Sequence, residues 1–254
     1  MNAAYRKIPL EPDKRHLVFG DIHGRHATFL ALLEQLGHDP TGDVLYSVGD
    51  LIDRGPDSVS VIELFERENC HAVRGNHEQM VLHPREWRDV WLDPQNGGEA
   101  TLASLERHGR GLDWLERFCR TLPVVLDVGE EDEPGAFRLV HAESPFRWSE
   151  ADLQGFLAEA TFVEAGESRL LWGRDDVERA LLHPKGADGS RAVDVDPGRS
   201  PRAVFCGHTP LEEVVVAAGT RWIDTWGGDF LTCVEPATMR EHHMPFARVD
   251  TLLD

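Results

Sequence analysis

Cysteine is scarce and scattered. The 254-residue chain carries four, Cys70, Cys119, Cys206 and Cys233, with no C-x-x-C pair among them. That spacing excludes a disulfide framework and a zinc knuckle, and it fits reduced, buried thiols in a cytoplasmic protein. Positive charge is also short, with 26 Lys and Arg against 45 Asp and Glu and a formal charge of −19. Such a deficit opposes loose binding to nucleic acid or anionic lipid and reads as a solubilising acidic surface. No apolar run approaches the roughly 18 residues of a membrane span, and the leading segment MNAAYRKIPLEPDKRH is too polar for a secretory signal. The expectation is a soluble, cytoplasmic protein with neither a membrane nor a nucleic-acid partner. Internal repeats and low-complexity tracts are missing as well.

What is present is enough apolar material, 41% of the chain, for one large core. One domain spanning 1–254 is therefore expected. Strand-like 16–19 runs into Gly20-Asp21-Ile22-His23-Gly24, followed by Phe29, Leu30, Leu33 and Leu36 at helical spacing. The unit repeats with strand 44–48, a helix carrying Val61, Ile62, Leu64 and Phe65, and a strand at 72–73. Strands alternating with helices of this length imply right-handed crossovers and a largely parallel sheet. Residues 84–122 read as a tryptophan-rich helical insertion, with Gly97-Gly98 as a break and Leu102, Leu105, Leu112 and Leu115 suggesting two short helices. Strands are then expected at 123–128, 136–141, 203–206, 213–217, 220–224 and 230–235, with a long loop at about 183–202. That loop reads equally as a surface excursion or as a flap beside a site.

The chemistry gathers around Ser47-Val48-Gly49-Asp50-Leu51-Ile52-Asp53-Arg54-Gly55, where an apolar strand delivers Asp50 at its carboxyl end. Asp21 and His23, two positions apart at the preceding strand end, can meet one metal ion. Asn76 ends the third strand, and neighbouring strand ends lie about 4.8 Å apart, so the three groups can share one small volume. His141 and His208, each after a probable strand, complete the set. A lone histidine in such a place is more often hydrogen-bonded structure than a ligand, but six ligands together reverse those odds. Mixed oxygen and nitrogen donors in that number suit two ions, Mn²⁺, Fe or Zn²⁺, with Asp50 as the shared carboxylate. A metal pair that holds a bridging hydroxide makes phosphoester hydrolysis the leading chemistry. Arg54 is then a phosphate clamp, and His77 with Asp53 is an acid pair for the leaving oxygen.

At these residues the chain resembles the PPP-type metallophosphatases. Gly20-Asp21-Ile22-His23-Gly24, Gly49 to Gly55 and Arg74-Gly75-Asn76-His77-Glu78 are similar to the three signature blocks. Val140 to Phe146, Leu171-Trp172-Gly173-Arg174, Gly207-His208-Thr209-Pro210 and Ile223-Asp224-Thr225 extend the likeness toward the bacterial and phage lambda-type branch. The resemblance implies an α/β fold, a four-layer α/β/β/α sandwich of two mixed sheets. It also implies a dinuclear centre usually active with Mn²⁺, and hydrolysis of phosphoserine and phosphothreonine in proteins, with phosphotyrosine sometimes accepted. By motif, Asp21, His23 and Asp50 hold one ion, and Asp50, Asn76, His141 and His208 the other. His77 is the acid, Asp53 its partner, and Arg54 and Arg174 the clamps.

One block departs from the pattern, since Trp226 stands where relatives carry a glycine after Ile-Asp-Thr. Either the backbone differs there or an aromatic wall has been added. The other six tryptophans, Trp87, Trp91, Trp114, Trp148, Trp172 and Trp222, read mostly as core. A phosphorylated protein or peptide is the leading substrate. A symmetrical dinucleoside tetraphosphate hydrolase is the alternative, sharing the same metal blocks. A non-catalytic phosphate-binding scaffold is disfavoured because no ligand and no acid is missing, and the sequence leaves the oligomeric state open.

Overall fold

The computed structural model describes residues 4–143, 151, 153, 155, 169–191 and 203–246. The first half runs β1 (Tyr5–Ile8), β2 (Arg15–Phe19), α1 (His26–Gln35), β3 (Asp43–Ser47), α2 (Ser58–Phe65), β4 (Cys70–Ala72) and α3 (Asn76–Leu82). Three helices follow, α4 (Pro84–Trp91), α5 (Gly98–Arg107) and α6 (Leu112–Thr121). The second half contains β5 (Val125–Val128), β6 (Phe137–Val140), α7 (Arg169–Trp172), α8 (Asp175–Leu181), β7 (Ala203–Cys206), β8 (Val215–Ala217) and β9 (Thr220–Trp222). A short 3₁₀ turn (Trp226–Gly228), β10 (Phe230–Glu235) and β11 (Arg240–Pro245) close it.

Two mixed sheets result. One has the order β11-β10-β2-β3-β4, with β2, β3 and β4 parallel and β10 and β11 antiparallel beside them. The other has the order β1-β5-β6-β7-β9-β8, in which β6, β7 and β9 run parallel. Side-chain alternation explains how they stack. In β2 and β3, Leu17, Phe19 and Leu45 turn toward the helices, packing with Phe29, Ile62, Leu115 and Phe118. Val18, Val44 and Tyr46 turn the other way and meet Leu126, Phe137, Leu139 and Phe205 of the facing sheet. The far side of that second sheet buries Val125, Val140, Cys206 and Trp222 against Leu170, Leu171, Val177 and Ala180 of α7 and α8. Helix, sheet, sheet and helix layers follow from these three clusters, in agreement with the expected α/β sandwich.

Some readings need correction. Edge strands β1 and β11 were not expected, because their residues are polar and only half shielded, so a pattern of buried alternation is absent. The insertion has three helices rather than two, and α4 begins at Pro84 with its proline in the first turn. Of the six described tryptophans only Trp91 and Trp222 are buried, while Trp87, Trp114, Trp172 and Trp226 are half-buried. Trp148 lies outside the described residues. The expected loop at 183–202 is described only to Arg191, where a Lys185–Arg191 bridge and an Arg191 N–H donated to the Val216 carbonyl at 2.8 Å hold it along β8. Residues 192–202 lie outside the description. All four cysteines are free, and Cys119, Cys206 and Cys233 are buried. Among the described residues no helix is long and apolar enough to cross a membrane.

Candidate metal centre

The carboxyl ends of the two parallel trios meet. Asp21 and His23 follow β2, Asp50 follows β3, and Asn76 opens α3 just beyond β4. From the other sheet His141 follows β6, His208 follows β7 and Asp224 follows β9. Five residues of this region, His23, Asp50, Asp53, Arg54 and His208, have positive φ between 47° and 73°. Left-handed backbone is costly for side chains with a Cβ and collects where surrounding structure enforces it. Two glycines let carboxylates come closer than any other residue allows. A Cβ on Gly75 would sit 2.0 Å from Asp50 Oδ1, and one on Gly207 would sit 1.9 Å from Asp21 Oδ1.

Asp50 is the hub. Its Oδ1 lies 3.4 Å from His141 Nε2 and its Oδ2 lies 3.6 Å from His23 Nε2 and 3.7 Å from His77 Nε2. Two groups of potential metal ligands, His23-Asp50-His77 and Asp21-Asp50-His141, have Asp50 as their common member. The histidine tautomers are fixed by acceptors behind the rings. His23 Nδ1 donates to the Ile52 carbonyl and His141 Nδ1 to the Val48 carbonyl, both at 2.8 Å. Each Nε2 is thereby left with a lone pair facing the cluster, the orientation a metal-ligating histidine needs. His141 Nε2 and His208 Nδ1 converge on Asn76 Oδ1 at 2.8 and 3.0 Å.

Negative charge and unmet acceptors dominate the seam. Among the described residues Asp21 Oδ1 and Asp224 Oδ2 are buried without a hydrogen-bond partner. Burial, then Asp224 and Asp50, pushes the Asp21 carboxyl well above its usual range. Burial likewise raises Asp224 to about 6 and, with Asp50, Glu78 to about 7. Burial alone would raise Asp50 too, but the surrounding histidines, His141 foremost, hold it below its ordinary value. Buried carboxylates packed this closely with inward-facing imidazoles call for cations, so the residues present fit divalent metal ions. Arg54 is the guanidinium that meets the cluster, donating from Nη1 to His23 Nε2 at 2.7 Å and approaching His77 Nε2 at 3.4 Å.

His77 differs from its neighbours. Its Nδ1 meets Asp53 Oδ2 at 2.6 Å, and Asp53 is itself fixed by Trp91 Nε1 at 2.9 Å and Thr101 Oγ1 at 2.6 Å. Burial opposes protonation of His77, yet the charge of Asp50 and the hydrogen bond to Asp53 raise its pKa. Burial lowers His23, His141 and, to about 3, His208. One imidazole is poised to carry a proton and three to offer lone pairs, the divergence that marks separate roles.

The structure therefore brings Asp21, His23, Asp50, Asn76, His141, His208, His77, Asp53 and Arg54 together. Arg174 is more remote, exposed at the N-cap of α8, with its charge reaching His208 and Asp224. Four contributors had no role in the sequence reading. Glu78 accepts the backbone N–H groups of Gly75, Asp50 and Leu51, lashing two strand-end loops together. Its signal was present as the third residue of a capping arrangement begun by Gly75. Asp224 lay inside a quoted block without an assignment. Trp91 and Thr101 reach Asp53 from 38 and 48 residues away, which no local pattern reveals.

Comparison with known proteins adds four findings. A model of the family described as calcineurin-like phosphoesterase matches residues 14–212. The chain is 31% identical over 225 residues to serine/threonine-protein phosphatase 1 of Salmonella typhimurium, covering 87% of this chain and 90% of that one. It is 33% identical over 154 residues to a symmetrical bis(5'-nucleosyl)-tetraphosphatase of Chromohalobacter salexigens, covering 59% of this chain and 52% of that one. In fold it is similar to a solved protein serine/threonine phosphatase of Saccharomyces cerevisiae, with a TM-score of 0.59 over 96% of this chain and 84% of that one at 14% identity.

Proposed function

The chain belongs to the calcineurin-like phosphoesterase family and is a metal-dependent phosphatase, and on that premise we propose that it is a dinuclear enzyme acting on phosphoserine and phosphothreonine in proteins. The observation that carries the dinuclear part is the double membership of Asp50, whose two oxygens face different ligand groups. By motif, Asp21, His23 and Asp50 would hold one ion, and Asp50, Asn76, His141 and His208 the other; by distance alone the side chains group about Asp50 as His23 with His77 and Asp21 with His141. Mn²⁺ suits this mixture of carboxylate, amide and imidazole donors, with Fe and Zn²⁺ as competitors. When bound, the ions supply Lewis-acid charge and a nucleophilic water at neutral pH.

The remaining chemistry belongs to the chain. Arg54, now donating to His23 and near His77, is a fork that a phosphoryl group with two or more anionic oxygens would draw away from those imidazoles. Arg174 is the second clamp, entering from the exposed side. His77 donates the proton to the leaving oxygen from Nε2, while Asp53 keeps Nδ1 protonated and the ring oriented. Trp91 and Thr101 prevent Asp53 from turning away.

Length and similarity support a protein substrate, because the Salmonella phosphatase matches across nine-tenths of its chain, 90%. The nucleotide hydrolase reading is favoured by the Chromohalobacter relative, but over a shorter stretch. Metal-reconstituted protein offered phosphothreonine peptide and diadenosine tetraphosphate in competition separates the two. We expect kcat/KM to favour the peptide by more than about ten-fold, roughly 1.4 kcal/mol of transition-state discrimination. A preference of that size for the nucleotide would overturn the protein-phosphatase reading.

A further inference from the structure

Trp226 occupies the rim of the centre. The 3₁₀ turn starting at Trp226, with its N–H donated to Asp224 Oδ1 at 3.1 Å, sets the indole edge-on to the His23 ring at 5.4 Å and 87°. The indole is braced rather than loose. Arg25 Cζ lies 4.2 Å from its centroid and 4.1 Å from that of Phe246, and Phe246 itself stands 5.2 Å from the indole. Arg54 Cζ is 5.0 Å from the same indole. Trp226 and Arg54 together line a cavity of about 720 Å³ whose other walls include Leu92, Ala100, Ala103 and Pro210. The cavity thus opens directly from the phosphate clamp, with a half-buried aromatic plate on one wall and a mixture of small apolar groups with Arg25, Gln95 and Glu99 elsewhere.

From this geometry we infer that Trp226 is a specificity-determining residue whose indole packs against the ring of an aryl phosphate, such as a phosphotyrosyl side chain. The inference rests on the reading of Arg54 as the clamp. An aryl ester places its ring one bond beyond the ester oxygen, so a phosphate held by Arg54 carries the ring into the zone the indole borders. A phosphoseryl or phosphothreonyl side chain brings only one or two carbons there before its backbone begins, and it cannot cover the plate. Because Arg25 and Phe246 already hold the indole, little conformational freedom is lost when a second ring packs on it.

The test compares wild type with Trp226→Ala and Trp226→Phe on two matched pairs: phosphotyrosine against phosphothreonine in one peptide, and para-nitrophenyl phosphate against glycerol 2-phosphate. Intrinsic leaving-group differences cancel when each variant's aryl-to-alkyl ratio of kcat/KM is divided by that of wild type. Trp226→Ala should lower the ratio roughly two- to ten-fold in both pairs, the range of an aromatic pair. Trp226→Phe should keep it within about two-fold. Equal losses on aryl and alkyl substrates would show that the indole only supports the fold, and an unchanged ratio would show that the ring goes elsewhere; either overturns the inference. A wild type active on the small esters but on neither peptide would sink the protein-phosphatase reading alone, since the small-ester ratios still report on Trp226. Inactivity on all four would overturn both.

Discussion

The seam between the sheets and the rim above it are built on opposite principles. In the seam, His23, His77, Asp50, Asn76 and Asp21 are all 5% exposed or less, two of them, His23 and Asp50, on left-handed backbone, and charge is concentrated as carboxylate. At the rim, Trp226 is half-buried and the charges are guanidinium, Arg25 and Arg54, held over its ring. The seam tolerates little change of shape, because His23 and His141 are fixed from behind by backbone carbonyls and His77 by the Asp53 carboxylate. The rim offers a cavity and an aromatic plate, features that choose among substrates without performing the reaction. Reaction type and substrate preference are thus separable in this molecule.

Substitutions in the seam should therefore strike all substrates alike. His77→Asn removes the proposed proton donor and is expected to cost about 10²- to 10⁴-fold in kcat on every phosphoester, measured with metal present throughout. A loss restricted to one substrate class would erase the distinction between seam and rim. Removing metal with a chelator should lower the melting temperature, because the buried carboxylates lose the cations their crowding calls for. At a metal concentration about 100-fold over Kd the stabilisation is about 2.7 kcal/mol, which for this size is a shift of roughly 5 to 10 °C in calorimetry. No shift would mean that the cluster tolerates its own repulsion.

Smaller effects sharpen the boundary. Thr101→Val leaves the volume of the side chain nearly constant but deprives Asp53 of a 2.6 Å hydrogen bond. We expect a destabilisation of about 1 to 3 kcal/mol in denaturant unfolding. The accompanying fall in kcat should be smaller than that of His77→Asn and equal across substrates. Trp226→Ala, at the rim, is expected to move only the selectivity between aryl and alkyl esters, the smallest effect of the series.

The same division governs what the sequence discloses. Asp21, His23, Asp50, Asn76, His141 and His208 each lie just past a strand and stand next to glycine or an apolar run, so pattern and spacing point to them. Strands β2 and β3 were legible for the same reason, being largely buried on both faces, whereas the half-buried β4, Cys70-His71-Ala72, lies slightly earlier than the 72–73 expected. The polar edge strands β1 and β11 carry no such pattern, since their outward sides meet water. Arg25, Trp91 and Thr101 were silent because their contacts cross long stretches of chain, and a single side chain in a helix or insertion does not say what it touches. Trp226 was visible as an oddity in an otherwise regular block, but its wall of Arg25 and Phe246 needed the fold.

The central claim is that one carboxylate, Asp50, joins two metal sites. Metal titration by calorimetry, with stoichiometry checked by elemental analysis, can test it on wild type and Asp50→Asn, with circular dichroism confirming that the variant is folded. The account predicts two ions per chain in wild type and a joint weakening of both in the variant. Retention of one ion at wild-type affinity while the other is lost would contradict it and place the bridge on another residue.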